Sequence, residues 1–312
     1  MTSPQLTAPT MPRPKPGTGA AKLRALFMRP GITRIVGAHN PLGARLAERA
    51  GFDGVWSSGL EISASQGLPD TDILTMTELH TVAASLAAAV DIPVVADCDA
   101  GYGNAFNVMH MIRRYEASGI AAVSIEDKLF PKVNSFIPRR QKLASIEEFS
   151  GKLRAAKSVQ EDPDFMVIAR IEALIAGWDM EEALRRGEAY AAAGADAVLI
   201  HAKGSEAEPV LEFLSRWQPD LPVVVVPTTY HTVTADELSA AGAKMVIYAN
   251  QGLRAGISAV SETFDTILRD GRTTALEDRI APMKTVFDLQ GMPQVMADEA
   301  RFLPNSGKTD DQ

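Results

Sequence analysis

Eight short apolar runs rich in valine and isoleucine, separated by stretches of helical periodicity, constrain this chain more than any other feature. In chain order they are Thr33–Gly37, Gly54–Ser57, Ile92–Ala96, Ala121–Ile125, Met166–Arg170, Ala197–Ile200, Pro222–Val226 and Met245–Tyr248. Near-continuous apolarity marks strands covered on both faces, as in a parallel sheet, and not the alternation of a sheet with one wet face. Ala50-Gly51, Ser118-Gly119, Ala193-Gly194 and Ala241-Gly242 each precede such a run, and each reads as a helix C-cap feeding a strand. Helix starts are also marked. Thr75 with Glu78, Ser145 with Glu148 and Thr234 with Glu237 have capping-box spacing, and Asn40-Pro41 reads as an N-cap followed by proline at the first helical position. After Ser145, Ile146, Phe149, Leu153 and Ala156 fall on one stripe.

Eight strand-plus-helix units within about 240 residues predict an α/β fold of the closed (β/α)₈ TIM type. An open dinucleotide-binding sheet needs a G-x-G-x-x-G turn after its first strand, and Gly37-Ala38-His39-Asn40-Pro41-Leu42-Gly43 does not supply one. The expected organisation is a disordered arm over 1–19, which holds five prolines, a single barrel domain over 20–304 including C-terminal helices, and a disordered tail over 305–312. Ile280, Met283, Val286, Phe287 and Leu289 recur at helical spacing beyond the eighth unit, so those helices need a partner surface, for which another subunit is a candidate.

A net charge of −8 lacks the electrostatic footprint of a nucleic-acid or anionic-membrane binder, so an anionic ligand has to be met by a local basic cluster. Cys98 is the only cysteine, which excludes an intrachain disulfide; no apolar run nears the ~18–20 residues of a membrane span, and the first residues lack a signal-peptide apolar core. The expectation is a cytoplasmic protein without nucleic-acid or membrane partners.

In such a barrel the chemistry gathers at the C-terminal ends of the strands. Charged groups follow the runs there: Asp97 and Asp99 after the third, Glu126 after the fourth, Arg170 and Glu172 at the fifth, His201 after the sixth. Asp97, Asp99 and Glu126 make an oxygen-only cluster suited to a hard divalent cation, Mg²⁺ or Mn²⁺, although any one of them alone could be a helix N-cap. Arg170 and His201 would face the same mouth and hold an anionic substrate against the metal; alone, His201 is as readily a structural histidine. Connections 60–74 and 127–144 are longer than usual and suggest lids, and the second combines Lys132, Asn134, Arg139 and Arg140 with prolines. Its alternative is an exposed basic loop. Cys98 reads as packing, His80 and His110 as helical residues, and His39 as structural or supporting.

Glu126-Asp127-Lys128-Leu129-Phe130-Pro131-Lys132-Val133-Asn134-Ser135, with Asp97-Cys98-Asp99-Ala100-Gly101-Tyr102-Gly103-Asn104, Trp56-Ser57-Ser58-Gly59-Leu60 and Ala169-Arg170-Ile171-Glu172, resembles the phosphoenolpyruvate mutase branch of the isocitrate lyase superfamily. The resemblance covers about residues 30 to 303. Lyases of the superfamily carry a catalytic cysteine in a lysine–cysteine–glycine–histidine loop, and Phe130-Pro131-Lys132-Val133-Asn134 stands there instead, which disfavours carbon–carbon cleavage. The resemblance implies interconversion of phosphoenolpyruvate and 3-phosphonopyruvate, with Mg²⁺ held directly by Asp97 and through water by Asp99 and Glu126. It implies that Trp56, Ser58, Gly59 and Leu60 line the substrate pocket and that Asp70 sits on the strand-two loop. Lys132, Asn134 and Ser135 would belong to a gating loop, and Arg170 and His201 would bind substrate. It also implies a homotetramer, a dimer of dimers, whose C-terminal helices are exchanged between subunits. The nearest alternative is phosphonopyruvate hydrolase, whose loop carries threonine where this chain has Asn134; a catalytically silent metabolite-binding barrel is a third.

Overall fold

The computed structural model describes residues 18–135, 137 and 141–303. Most of the arm expected over 1–19, the tail expected over 305–312, and Arg139 and Arg140 of the basic loop lie outside the described residues. Strands β1 (Thr33–Ala38), β2 (Gly54–Ser57), β3 (Val94–Asp97), β4 (Ala122–Glu126), β5 (Met166–Ile171), β6 (Ala197–Ile200), β7 (Val223–Val225) and β8 (Ala243–Tyr248) close into a parallel barrel in sequence order, β8 pairing back onto β1. The eight runs read from sequence are these eight strands. The helices are α1 (Thr18–Met28), α2 (Pro41–Arg49), α3 (Gly59–Ser65), α4 (Met76–Ala89), α5 (Ala105–Ala117), α6 (Ile146–Val159), α7 (Met180–Ala192), α8 (Glu208–Arg216), α9 (Ala235–Ala240), α10 (Gln251–Asp270), α11 (Met283–Gln290) and α12 (Met292–Phe302).

Local sequence accounts for the boundaries. Gly51, Gly119, Gly194 and Gly242 all have φ between 77° and 105°, the left-handed conformation in which glycine ends a helix without a Cβ penalty. Thr75 with Glu78 and Thr234 with Glu237 form reciprocal capping boxes, while Ser145 accepts from the Glu148 backbone without the return bond. Asn40 caps α2 by accepting from the Gly43 backbone N–H. On α6, Phe149, Leu153 and Ala156 are buried as their stripe predicts.

Strand periodicity then sorts side chains into two apolar layers. Ile35, Trp56, Val95, Ala122, Met166, Ile168, Ala197, Leu199, Val224 and Ile247 fill the barrel interior, whereas Val55, Ala96, Val123, Val167, Ala169 and Val198 pack outward against the helices. Two features depart from expectation. Thr18 and Gly19, assigned to the arm on sequence, open α1, whose Leu23 and Phe27 pack with the interior layer; burying each contributes ~1.5–3 kcal/mol. The first half of the connection after β2, expected as a long loop, is helix α3, capped by Ser58 accepting from the Glu61 N–H.

The described chain falls into two compact units, 18–255 with the barrel, and 256–303 with most of α10, α11 and α12. In the second unit Leu276 is buried, and Ile280 and Phe287 are exposed.

Candidate active site

Period-two alternation that packs the interior also builds the site. Going up β4, Ala122, Ser124 and Glu126 share the inner face; on β5 the inner residues are Met166, Ile168 and Arg170. Leu199 of β6 leads to His201, Val95 of β3 to Asp97, and Trp56 of β2 to Ser58. Glu126 and Arg170 are register partners on β4 and β5, with Arg170 Nε 3.4 Å from Glu126 Oε2. Trp56, Ser58, Leu60, Asp70, Asp97, Glu126, Lys132, Asn134, Ser135, Arg170 and His201 line one pocket at the C-terminal end of the barrel. Gly59 and Asp99 lie against Asp97 beside it: a Cβ on Gly59 would stand 3.4 Å from Asp97 Oδ2 and 3.5 Å from Asp99 Oδ1. The residues that the resemblance assigns to the site are thus brought to one place.

The loop after β4 is tied down at its base, where Ala144 N–H donates to the Asp127 carbonyl and Leu129 N–H to the Lys142 carbonyl. Its residues 132–135 then reach across the mouth. Lys132 Nζ pairs with Asp99 Oδ1 at 2.5 Å and Asp70 Oδ1 at 2.9 Å, its backbone N–H donates to Asp72, and Asn134 Nδ2 donates to Asp70 Oδ2 at 2.6 Å. Burial pushes the Asp70 carboxyl up, but Lys132 and Asn134 outweigh it and hold the group below the usual carboxylate range. Asp99 is held at φ 49°, a conformation uncommon outside glycine, which turns the chain sharply beside Asp97.

Opposite, Glu172 Oε1 accepts from Arg170 Nε at 2.5 Å and stands 2.7 Å from His201 Nδ1, itself 2.8 Å from Arg170 Nη2. Burial raises the Glu172 carboxyl, yet Arg170, His201 and Lys128 together pull it well below its ordinary value. Burial lowers the His201 pKa, so a neutral imidazole faces the pocket at pH 7.

The acidic corner fits a divalent cation. Burial and the Asp99 carboxylate push Asp97 up to about 7, and burial with the carboxylates of Asp70 and Asp72 pushes Asp99 to the same value despite Lys132. Glu126 Oε1 is buried and accepts no hydrogen bond. Such oxygen-only groups match a hard ion that keeps several waters. Among the described residues no group of three or more His, Cys, Asp or Glu side chains is arranged to hold a metal ion directly.

A family model described as phosphoenolpyruvate phosphomutase matches residues 23–268. This chain belongs to the phosphoenolpyruvate mutase family. Within it, the crystal structure of a phosphoenolpyruvate phosphomutase from Streptomyces platensis subsp. rosaceus is 76% identical, with a TM-score of 0.91 over 91% of this chain and 99% of that one. The phosphonopyruvate hydrolase of Variovorax sp. is 44% identical over 283 residues, covering 90% of this chain and 98% of the relative. A crystal structure of phosphonopyruvate hydrolase complexed with oxalate and Mg²⁺ is 43% identical, with a TM-score of 0.87 over 91% and 99% of the two chains. The chain is thus an enzyme of the phosphoenolpyruvate mutase and isocitrate lyase superfamily.

Sequence reasoning missed several residues of the site. Thr228 and Asn250 also line the pocket, from the ends of β7 and β8, and Asp72 anchors the loop backbone. Asn250 lies two residues past the last barrel strand, at the end where this architecture gathers its chemistry, and that position was its available signal. Cys98 is fully buried, as expected of a packing residue, and burial raises its thiol well above the usual range.

Proposed function

We propose that the chain interconverts phosphoenolpyruvate and 3-phosphonopyruvate. The observation that carries this reading is the place of Asn134, whose side chain lines the pocket beside Arg170 and His201 and donates to Asp70. The resemblance read from the sequence puts asparagine at this loop position with the mutases and threonine with the hydrolase.

The reaction breaks the phosphorus–oxygen bond of an enol phosphate and forms a phosphorus–carbon bond within the same molecule. It takes up no water, so catalysis consists of holding a loosely bonded phosphoryl group between two positions and excluding solvent. Asp97, with Asp99 and Glu126 through water, would hold Mg²⁺, or Mn²⁺ in its place, and the bound ion supplies the charge that stabilises a pyruvate enolate. Arg170 and Asn134 hold the phosphoryl oxygens, donors fixed before the reaction by Glu172 and Asp70. His201 braces Arg170 and presents a neutral ring. Trp56, Ser58, Gly59 and Leu60 wall the pyruvate end, and Lys132 with Ser135 keeps the loop over the mouth.

Incubation with phosphonopyruvate and Mg²⁺, followed by phosphorus NMR, tests the reading: phosphoenolpyruvate is the expected product. Pyruvate and inorganic phosphate would assign the hydrolase reaction, which the 44% identity to the Variovorax enzyme keeps as the second reading. Turnover to neither, with Mg²⁺-dependent ligand binding retained, would mean a silent binder. We further propose a cytoplasmic homotetramer, a dimer of dimers, with the C-terminal helices exchanged between subunits. In this reading the barrel and those helices together form the domain over 20–304.

A further inference from the structure

One buried carboxylate, Glu172, joins the loop over the site to the Arg170–His201 side of the barrel. Glu172 divides its oxygens: Oε1 serves Arg170 and His201, as described, while Oε2 accepts from Ser135 Oγ at 2.9 Å and pairs with Lys128 Nζ at 3.1 Å. Lys128 completes the arrangement. Its Nζ donates to Ser135 Oγ at 2.6 Å and to the Val133 carbonyl at 3.1 Å, so the three donors of the ammonium have three fixed partners, two of them on the loop. Lys128 is 1% exposed and Glu172 0%. Burying such a pair costs more than it returns unless its geometry is tightly specified, and a charged cluster placed here points to a specified position.

We propose that Lys128 is a positioning residue: through Ser135 and the Glu172 carboxylate it sets the distance between the 133–135 segment and the Arg170–His201 pair. Asn134 lies in that segment, so Lys128 determines how closely the two sets of phosphoryl-binding donors approach each other. The inference rests on the reaction assigned above. A looser segment lets water reach the migrating group, and the product shifts from phosphoenolpyruvate toward pyruvate and phosphate.

The test uses Lys128→Met in the full-length protein with phosphonopyruvate and Mg²⁺. The expected result is a fall in kcat of about 10²-fold, the size associated with small misplacements, with KM changed much less. The pyruvate share in phosphorus NMR should rise, and Ser135→Ala added to Lys128→Met should lower kcat little further, because both act on one contact. Tyr190→Phe is the structural comparison. It removes a hydrogen bond of 2.6 Å to the neighbouring Asp127 and should lower Tm without moving the product ratio. Unchanged kcat and ratio in Lys128→Met, or a fully additive double variant, would overturn the proposal. So would a loss of Mg²⁺ affinity as large as the loss in kcat, since Lys128 would then act through Glu126 Oε1, 3.7 Å from its Nζ. Should Lys128→Met fail to fold, Ser135→Ala alone, which strands no buried charge, must show the same shift in ratio. If the wild type itself yields only pyruvate, the assigned reaction fails, and the kcat and Mg²⁺ comparisons still decide the role of Lys128.

Discussion

Lys132 Nζ stands 2.5 Å from Asp99 Oδ1, so an ammonium carried by the loop after β4 neutralises a carboxylate at the end of β3. The same group reaches Asp70 at 2.9 Å. Lys132→Met would leave both carboxylates buried without that cation, and breaking a buried pair from one side costs ~3–5 kcal/mol. The metal-free variant should therefore melt well below wild type in EDTA. Mg²⁺ should then raise its Tm by more than it raises that of wild type, because the ion neutralises the same corner. Equal melting of the two proteins in EDTA would show that Lys132 is not held there.

The barrel was legible because its signals are local: apolar runs of strand length, and Gly51, Gly119, Gly194 and Gly242 ending helices. The carboxylates and Arg170 were legible through their place at strand ends, where this architecture gathers its chemistry. Lys128 and Glu172 were visible as charged residues, but nothing nearby in sequence says that they pair, since that contact forms only when the loop folds back onto β5. Helix α1 was obscured for a different reason. The proline-rich segment before it sets the composition of the N-terminal region, and the spacing of Ala20, Leu23 and Phe27 becomes telling only with the barrel floor to cover.

Asp97→Asn separates metal binding from folding. In the metal-free protein Asp97 sits beside Asp99 with burial opposing its charge, so a neutral amide relieves repulsion and should leave Tm at pH 8 equal or higher. Calorimetric Mg²⁺ binding and turnover should both be lost. Retained turnover would remove Asp97 from the metal site.

Asn134 separates the two reactions. In the proposed reaction Asn134→Ala removes a donor to the phosphoryl oxygens and should lower kcat by ~10²–10³-fold. Asn134→Thr, the exchange that the family resemblance ties to the hydrolase reaction, should raise the ratio of pyruvate to phosphoenolpyruvate in the NMR assay. A ratio unmoved by threonine would mean that water exclusion depends on other positions.

Stability should vary with pH through His80, buried on α4 with Nε2 3.1 Å from the Arg114 carbonyl and 2.8 Å from Ser118 Oγ. Burial lowers its pKa below the ordinary value. The unfolded chain, with its histidine near ~6.5, therefore binds the proton first as pH falls. The contribution of neutral His80 is complete above that value and is lost as pH drops through it toward the folded pKa. Urea midpoints measured from pH 8 to pH 5.5 should fall less steeply for His80→Gln than for wild type; parallel curves would dismiss the histidine as a source of the slope.

Among the described residues of one chain nothing covers an apolar stripe on helix α10. Ile257, Val260, Phe264 and Leu268 recur at three- and four-residue intervals and are 57%, 48%, 61% and 85% exposed. A stripe at that spacing is the seam of a helix meant to pack, and each such side chain contributes ~1.5–3 kcal/mol when covered. Exchange of this helix between subunits would cover it. Light scattering should accordingly give four chains for the wild type, and Phe264→Glu with Leu268→Glu should reduce the mass, with the fall in turnover following the loss of assembly. A wild type of one chain, or a double variant that keeps its full mass, would leave the stripe without the role assigned to it.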